Sequence, residues 1–329
     1  MTNRIAEVLS KERIMIIDGS MSTALEHLGA SLNSNLWTAK ALAETPELVK
    51  QVHIDYFKAG ADCGITCSYQ ATIPGLMANG YSFEESEKII VNSVKVFREA
   101  RDEWWESEGK DGGRIWPLCL AGIGPYGAYL SDGSEFRGNY SITDGELYDF
   151  HFHRMELLWN AGPDILLLET IPSLREALIM ADIAEKLNAP YWISFSCRDG
   201  HHINEGNEIT ECAEALREDH PNLQMIGINC TKPEYISSLI RDLRKVSSLP
   251  IGVYPNSGEV YDPLTKTWSK QSSFDTVSFE EYAYRYMVSG ASAVGGCCTT
   301  VDQHIRQVVQ AREKYLGMNR PAPIQRMQS

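Results

Sequence analysis

Eight short apolar runs, many of them β-branched, alternate along this chain with longer stretches of helical periodicity, and few folds can absorb such a pattern. The runs cover residues 13–18, 62–67, 116–122, 165–170, 191–197, 225–230, 251–255 and 293–298. Between them lie segments such as PELVKQVHIDYFKAG and PEYISSLIRDLRKV, whose apolar positions recur every three or four residues. Repeated strand–helix units make a parallel sheet with helices over it. Eight of them predict a closed (β/α)8 TIM barrel in the α/β class, formed by one domain over residues 1–329. An open doubly wound sheet is the alternative, but it rarely needs eight units and more often carries a second domain.

The chain's 43% hydrophobic content supplies a sizeable core. A formal net charge of -14 with no local basic patch argues against nucleic acid or an anionic membrane as partner. The opening residues hold no apolar run of signal-peptide length, and no stretch approaches the roughly 20 apolar residues that span a bilayer. A cytoplasmic location follows as the expectation. In that setting the eight cysteines are reduced thiols or metal ligands. Two connections are long, residues 124–148 and 256–282, and both leave C-terminal strand ends, where barrel enzymes place their sites.

The cysteines divide by position. Cys63 and Cys67 sit on one strand, about 13 Å apart at 3.3 Å per residue, too far to share a metal. Cys119, Cys197 and Cys212 have no thiol nearby in sequence and read as ordinary buried residues. Cys230 closes the sixth run, while Cys297 and Cys298 close the eighth. Adjacent strand residues point to opposite faces, so this pair converges only if Gly295 and Gly296 break the strand. Three thiolates then suit zinc with an open fourth position. A glycine-rich strand end with small thiols packed on it fits the spacing too.

Several segments carry a more specific signal: IIDGSMSTALE, GADCGITCSYQAT, GIGPYGAYLSDGSEFRGNY, LLLETIP, GINCTKP, VYPNSGEVYDPLTKTW and GGCCTT. In this order, over nearly the whole chain, they resemble the homocysteine S-methyltransferase family. The resemblance implies a (β/α)8 barrel, zinc on Cys230, Cys297 and Cys298, and homocysteine as methyl acceptor. It points to the branch using S-methylmethionine, and less efficiently S-adenosylmethionine, as sulfonium donor for methionine biosynthesis. In the betaine branch an aromatic residue follows the strand 4 glutamate, whereas here Thr170 follows Glu169. That branch also has a long C-terminal dimerisation arm, and only about thirty residues follow Cys298 here, so a monomer or weak dimer is expected.

The same resemblance places Asp18 and Glu169 on the amino group of homocysteine, Thr66 near its carboxylate, and Trp37 on the donor side, facing a sulfonium. The plainer readings are a helix cap for Asp18, a strand hydroxyl for Thr66 and core packing for Trp37. The chemistry is coherent. A free thiol, with pKa near 8.5, is mostly protonated at neutral pH, and zinc coordination removes that proton. Four thiolates around zinc give a formal charge of about -2, which keeps sulfur nucleophilic toward a cationic donor.

Two motifs mislead. GIGPYG at residues 122–127 satisfies the dinucleotide-binding pattern, but Pro125 interrupts it and a long Tyr-, Ser- and Gly-rich loop is expected in place of an immediate helix N-terminus. His151 and His153 form an H-x-H that we read as partly exposed helix residues, and DFHFHR lacks the glycine of a cobalamin signature. A zinc hydrolase and a non-catalytic thiol or zinc-binding protein on the same barrel are the alternatives.

Overall fold

The computed structural model describes residues 3–32, 36–217, 219–258, 260–262, 267–269 and 277–318. Each apolar run forms a strand: β1 (Met15–Ile16), β2 (Cys63–Ile65), β3 (Leu118–Ile123), β4 (Ile165–Ile171), β5 (Tyr191–Phe195), β6 (Leu223–Asn229), β7 (Ile251–Tyr254) and, after a hairpin of β8 (Val260–Asp262) and β9 (Thr267–Ser269), β10 (Ala293–Val294). The eight main strands lie in the order β1-β10-β7-β6-β5-β4-β3-β2, all pairs parallel, and an Ile17–Cys63 bridge joins the two ends. This is the expected (β/α)8 barrel.

Alternation along the strands separates two cores. Met15, Ile17, Ile165, Leu167, Trp192 and Tyr254 belong to one cluster, while Ile14, Ile16, Leu166, Leu168, Ile193 and Val253 join the buried helix faces in the other. Both faces of each strand are therefore dry, which explains continuous apolar runs in place of alternating ones. Helix Pro46–Ala59 is typical of the outer layer. Proline starts it, left-handed Gly60 ends it, and Val49, Val52, Tyr56 and Phe57 face inward.

At the N-terminal ends of the strands, two aspartates lock neighbours together. Asp62 Oδ2 accepts from Ile16 N at 2.8 Å and from Arg312 Nη1 at 2.7 Å. Asp164 Oδ2 accepts from Cys119 N at 2.8 Å and from Arg101 Nη1 at 2.9 Å.

The first and last runs shrink to two ladder residues each, because the chain leaves the sheet beyond Ile17 and Val294 to build the rim. Cys67 lies in a turn past β2, so it does not share a strand with Cys63 as expected; both thiols are buried. Much of the long connection at 256–282 lies outside the described residues. No helix among the described residues is long and apolar enough to cross a membrane.

Candidate metal centre

At the C-terminal rim, β6 ends at Asn229 and the next residue, Cys230, turns into the left-handed region at φ 46°. A non-glycine residue there is strained and persists only where its surroundings hold it. Cys230 N donates to Tyr254 O at 3.3 Å. Beside it, Gly295 passes so close to β1 that a Cβ would lie 2.6 Å from Ile17 Cβ and 2.7 Å from its carbonyl oxygen. Glycine alone fits. The chain is then fixed by Gly296 N to Asp18 O at 3.1 Å and Cys297 N to Pro255 O at 2.7 Å.

This break turns the adjacent cysteines toward Cys230. The Sγ atoms of Cys230, Cys297 and Cys298 all lie within 4.8 Å of one another, with Cys230 and Cys298 at 3.6 Å. Tetrahedral zinc with Zn–S bonds of about 2.3 Å needs sulfurs about 3.8 Å apart, so the trio fits such an ion with little movement. All three are half-buried. Hydrogen bonding from Cys230, and then Cys298, drives the Cys297 thiol well below its usual range, while contact with Cys297 pushes Cys230 up. Cys298 is raised as well, so of the three it is the Cys297 thiol that gives up its proton most readily.

Glu169 stands beside the trio on β4, where a register shift between Leu168 and Ile171 places Thr170 at φ 60°. Asn229 satisfies the backbone that this irregularity frees: Thr170 N donates to Asn229 Oδ1 at 2.8 Å, and Asn229 Nδ2 donates to Thr170 Oγ1 at 2.7 Å. The same Nδ2 lies 4.0 Å from Cys297 Sγ. Asn229 thus couples the glutamate's strand to the cysteines, a role the sequence reading missed although the residue sits inside GINC.

Glu169 is buried, and Gly122 opposite makes its space, since a Cβ there would lie 2.7 Å from Glu169 Oε1. Burial, then the nearby charges of Cys297 and Asp18, hold its carboxyl well above the usual range. Asp18 is also raised, by burial first, against the opposing hydrogen bond from Ile65 N at 2.9 Å. Its Oδ1 is buried and has no hydrogen-bond partner among the described residues. The capping reading fails, because Ser20 caps helix Met21–His27.

Thr66 is buried nearby, its hydroxyl 2.7 Å from Ser68 Oγ and accepting from Gly122 N at 3.2 Å. Trp37 is half-buried against the core at the start of helix Thr38–Glu44, with φ 46°, outside this hydrogen-bond network.

The two misleading motifs form one support. His151 is fully buried, contrary to the expected partial exposure, because Glu176 Oε1 receives its Nε2 at 2.9 Å. Glu176 also accepts from Tyr126 N at 2.6 Å and the Tyr140 hydroxyl at 3.0 Å, and Arg154 donates to Gly124 O. Burial, then Arg154, lowers His151 to about 4, so it is neutral. The group fastens the loop after β3. In GIGPYG, Gly124 gives way to the Tyr69 ring, 2.7 Å from where a Cβ would sit, and only the short helix Tyr126–Leu130 follows.

Fold and site together define a barrel enzyme with a three-thiol metal centre at its catalytic face. The family model described as homocysteine S-methyltransferase matches residues 15–312. Homocysteine S-methyltransferase YbgG from Bacillus subtilis is 47% identical over 307 residues, 93% of this chain and 96% of that protein. Selenocysteine methyltransferase from Astragalus bisulcatus is 43% identical, with 90% and 91% covered. The crystal structure of the homocysteine methyltransferase MmuM from Escherichia coli, in metallated form, superposes with a TM-score of 0.82 at 35% identity, covering 92% of this chain and 98% of that one. The chain belongs to the homocysteine S-methyltransferase family, and it is a methyltransferase.

Proposed function

We propose that this chain methylates the thiolate of homocysteine from a sulfonium donor, S-methylmethionine before S-adenosylmethionine, with zinc on Cys230, Cys297 and Cys298, yielding methionine in the cytoplasm. The convergence of three rim sulfurs within 4.8 Å, in a chain of this family, carries the reading. Zinc, when bound, supplies a Lewis acid that keeps the acceptor sulfur deprotonated at neutral pH.

The remaining work falls to the protein. Asp18 and Glu169 hold the acceptor's ammonium, and that cation relieves two carboxylates whose burial otherwise costs free energy. Thr66 lies toward the acceptor carboxylate, and Trp37 faces the donor's sulfonium. With sulfur and methyl carbon in line, the S–CH3 bond forms as the donor's C–S bond breaks and its electron pair returns to the donor sulfur. The leaving thioether is neutral and needs no proton, so alignment is the main task. Domain and assembly follow the sequence expectation, one domain over 1–329 acting as a monomer or weak dimer.

Rates of methionine formation from homocysteine with three donors test the reading. S-methylmethionine is expected to give the highest kcat/KM, S-adenosylmethionine less, and betaine a value near background. Betaine turnover comparable to S-methylmethionine would overturn the donor assignment.

A further inference from the structure

Two buried carboxylate oxygens at the rim have no hydrogen-bond partner among the described residues, and the acceptor accounts for one of them. The first is Asp18 Oδ1; the second is Glu135 Oε2. Glu135 lies on the short turn Ser134–Phe136 in the loop after β3, and Ser196 links its backbone to that of Thr170. Its position is built. The Ser196 hydroxyl, at the end of β5, lies 3.5 Å from Glu135 O and 3.3 Å from Thr170 O, and Asn204 Nδ2 donates to Ser196 Oγ at 2.8 Å. From the other side Gly127 packs so tightly that a Cβ would lie 2.5 Å from Glu135 N. The cation next along the chain, Arg137, is turned to Asp132 at 3.5 Å and to Ser134 Oγ at 3.0 Å.

A buried carboxylate oxygen left without a hydrogen bond is costly, and a site retains one where a ligand completes it. The reaction brings two amino acids to this rim, each with an α-ammonium group. Resting on the donor assignment above, we propose that Glu135 binds the α-ammonium of the sulfonium donor and so selects sulfonium amino acids over simple sulfonium or quaternary ammonium compounds. S-methylmethionine and the methionine part of S-adenosylmethionine present the same group. Two further observations agree. Burial raises the Glu135 carboxyl, as at Asp18 and Glu169, against a smaller lowering from Arg137, so a bound ammonium would favour its charged form. The buried Tyr69 hydroxyl, raised first by burial, is raised further by Glu135, Cys230 and Glu169 together, which puts Glu135 within electrostatic reach of the metal-centre side of the rim.

The test compares S-methylmethionine with its desamino analogue, 4-(dimethylsulfonio)butyrate, in wild type and Glu135→Gln, with zinc content and melting temperature measured on both proteins. The variant should keep its zinc and fold, raise KM for S-methylmethionine about tenfold or more, and leave kcat and the KM for homocysteine within about twofold. Turnover of the desamino analogue should be unchanged. Glu135→Ala should behave as the glutamine variant does. An unchanged KM for S-methylmethionine, an equal loss with both donors, or a raised KM for homocysteine would overturn the assignment. The donor order in wild type reports on the proposed function and the variant-to-wild-type ratio on Glu135, so the two fail separately.

Discussion

The two ends of the barrel treat buried carboxylates in opposite ways. At the N-terminal end, Asp62 and Asp164 each meet an arginine and a backbone N–H, and Arg312 further ties Asp62 to Glu12 at 3.3 Å. At the C-terminal end, Asp18 and Glu169 are buried as Asp62 is, and more deeply than the half-buried Asp164, yet no arginine or lysine hydrogen bond reaches either among the described residues. Three thiols stand beside them instead. Paired charges at one end hold the strands together; at the other, under the function proposed above, an ammonium-bearing substrate completes the pair. This is the division between stability and catalysis that barrel enzymes show.

The sharpest break of that contrast removes the metal. Dialysis against a chelator should drop methionine formation to background and leave helical circular dichroism intact, with zinc restoring the rate. Full activity after verified metal removal would refute a metal-dependent rim.

A smaller effect is expected at the opposite end. Arg312→Met strips Asp62 of its shortest ion pair and should cost about 3 kcal/mol of stability, as breaking a buried pair does. In denaturant melts the midpoint should fall while kcat/KM of the folded enzyme is kept. A loss of activity without a loss of stability would show that the ends are not separable.

Glu169→Gln should do the reverse. Losing one charge-assisted hydrogen bond of roughly 1.5–3 kcal/mol should lower kcat/KM for homocysteine about 10- to 100-fold with the metal still bound. With 4-mercaptobutyrate, which has no amino group, the same variant should lose much less. Loss of metal, or an equal loss with both thiols, would make Glu169 a support for the centre.

The smallest effect concerns pH. Asp18 has a raised pKa in the folded protein, so between its unfolded and folded values the folded state holds a proton the unfolded chain has lost. Its contribution to stability is therefore lost as pH rises through that window. Asp18→Asn should melt higher than wild type at pH 8 without substrate, and the gain should shrink toward pH 4. A gain that is constant across this range would mean burial does not control this carboxyl.

Much of this contrast is visible in sequence, and the exceptions share a cause. Gly295 and Gly296 before two cysteines announce a strand break, and the break is local, so the trio could be anticipated. Glu169 and Asp18 also stand at the ends of apolar runs, but their expected role came from the family resemblance and not from the runs. Asn229 was not anticipated, because its task arises only when an irregularity in β4, 59 residues earlier, frees Thr170 N. His151 was misread because its burial depends on Glu176 and Arg154, one on the next helix and one a turn away on its own. Helical periodicity gives a face, but not which polar partners wait on it.

Zinc content measured on purified wild type alongside Cys230→Ser, Cys297→Ser and Cys298→Ser tests the central claim most directly. About one zinc per chain is expected in wild type, with each serine variant losing most of it together with homocysteine methylation. Unchanged zinc in all three variants would contradict the account.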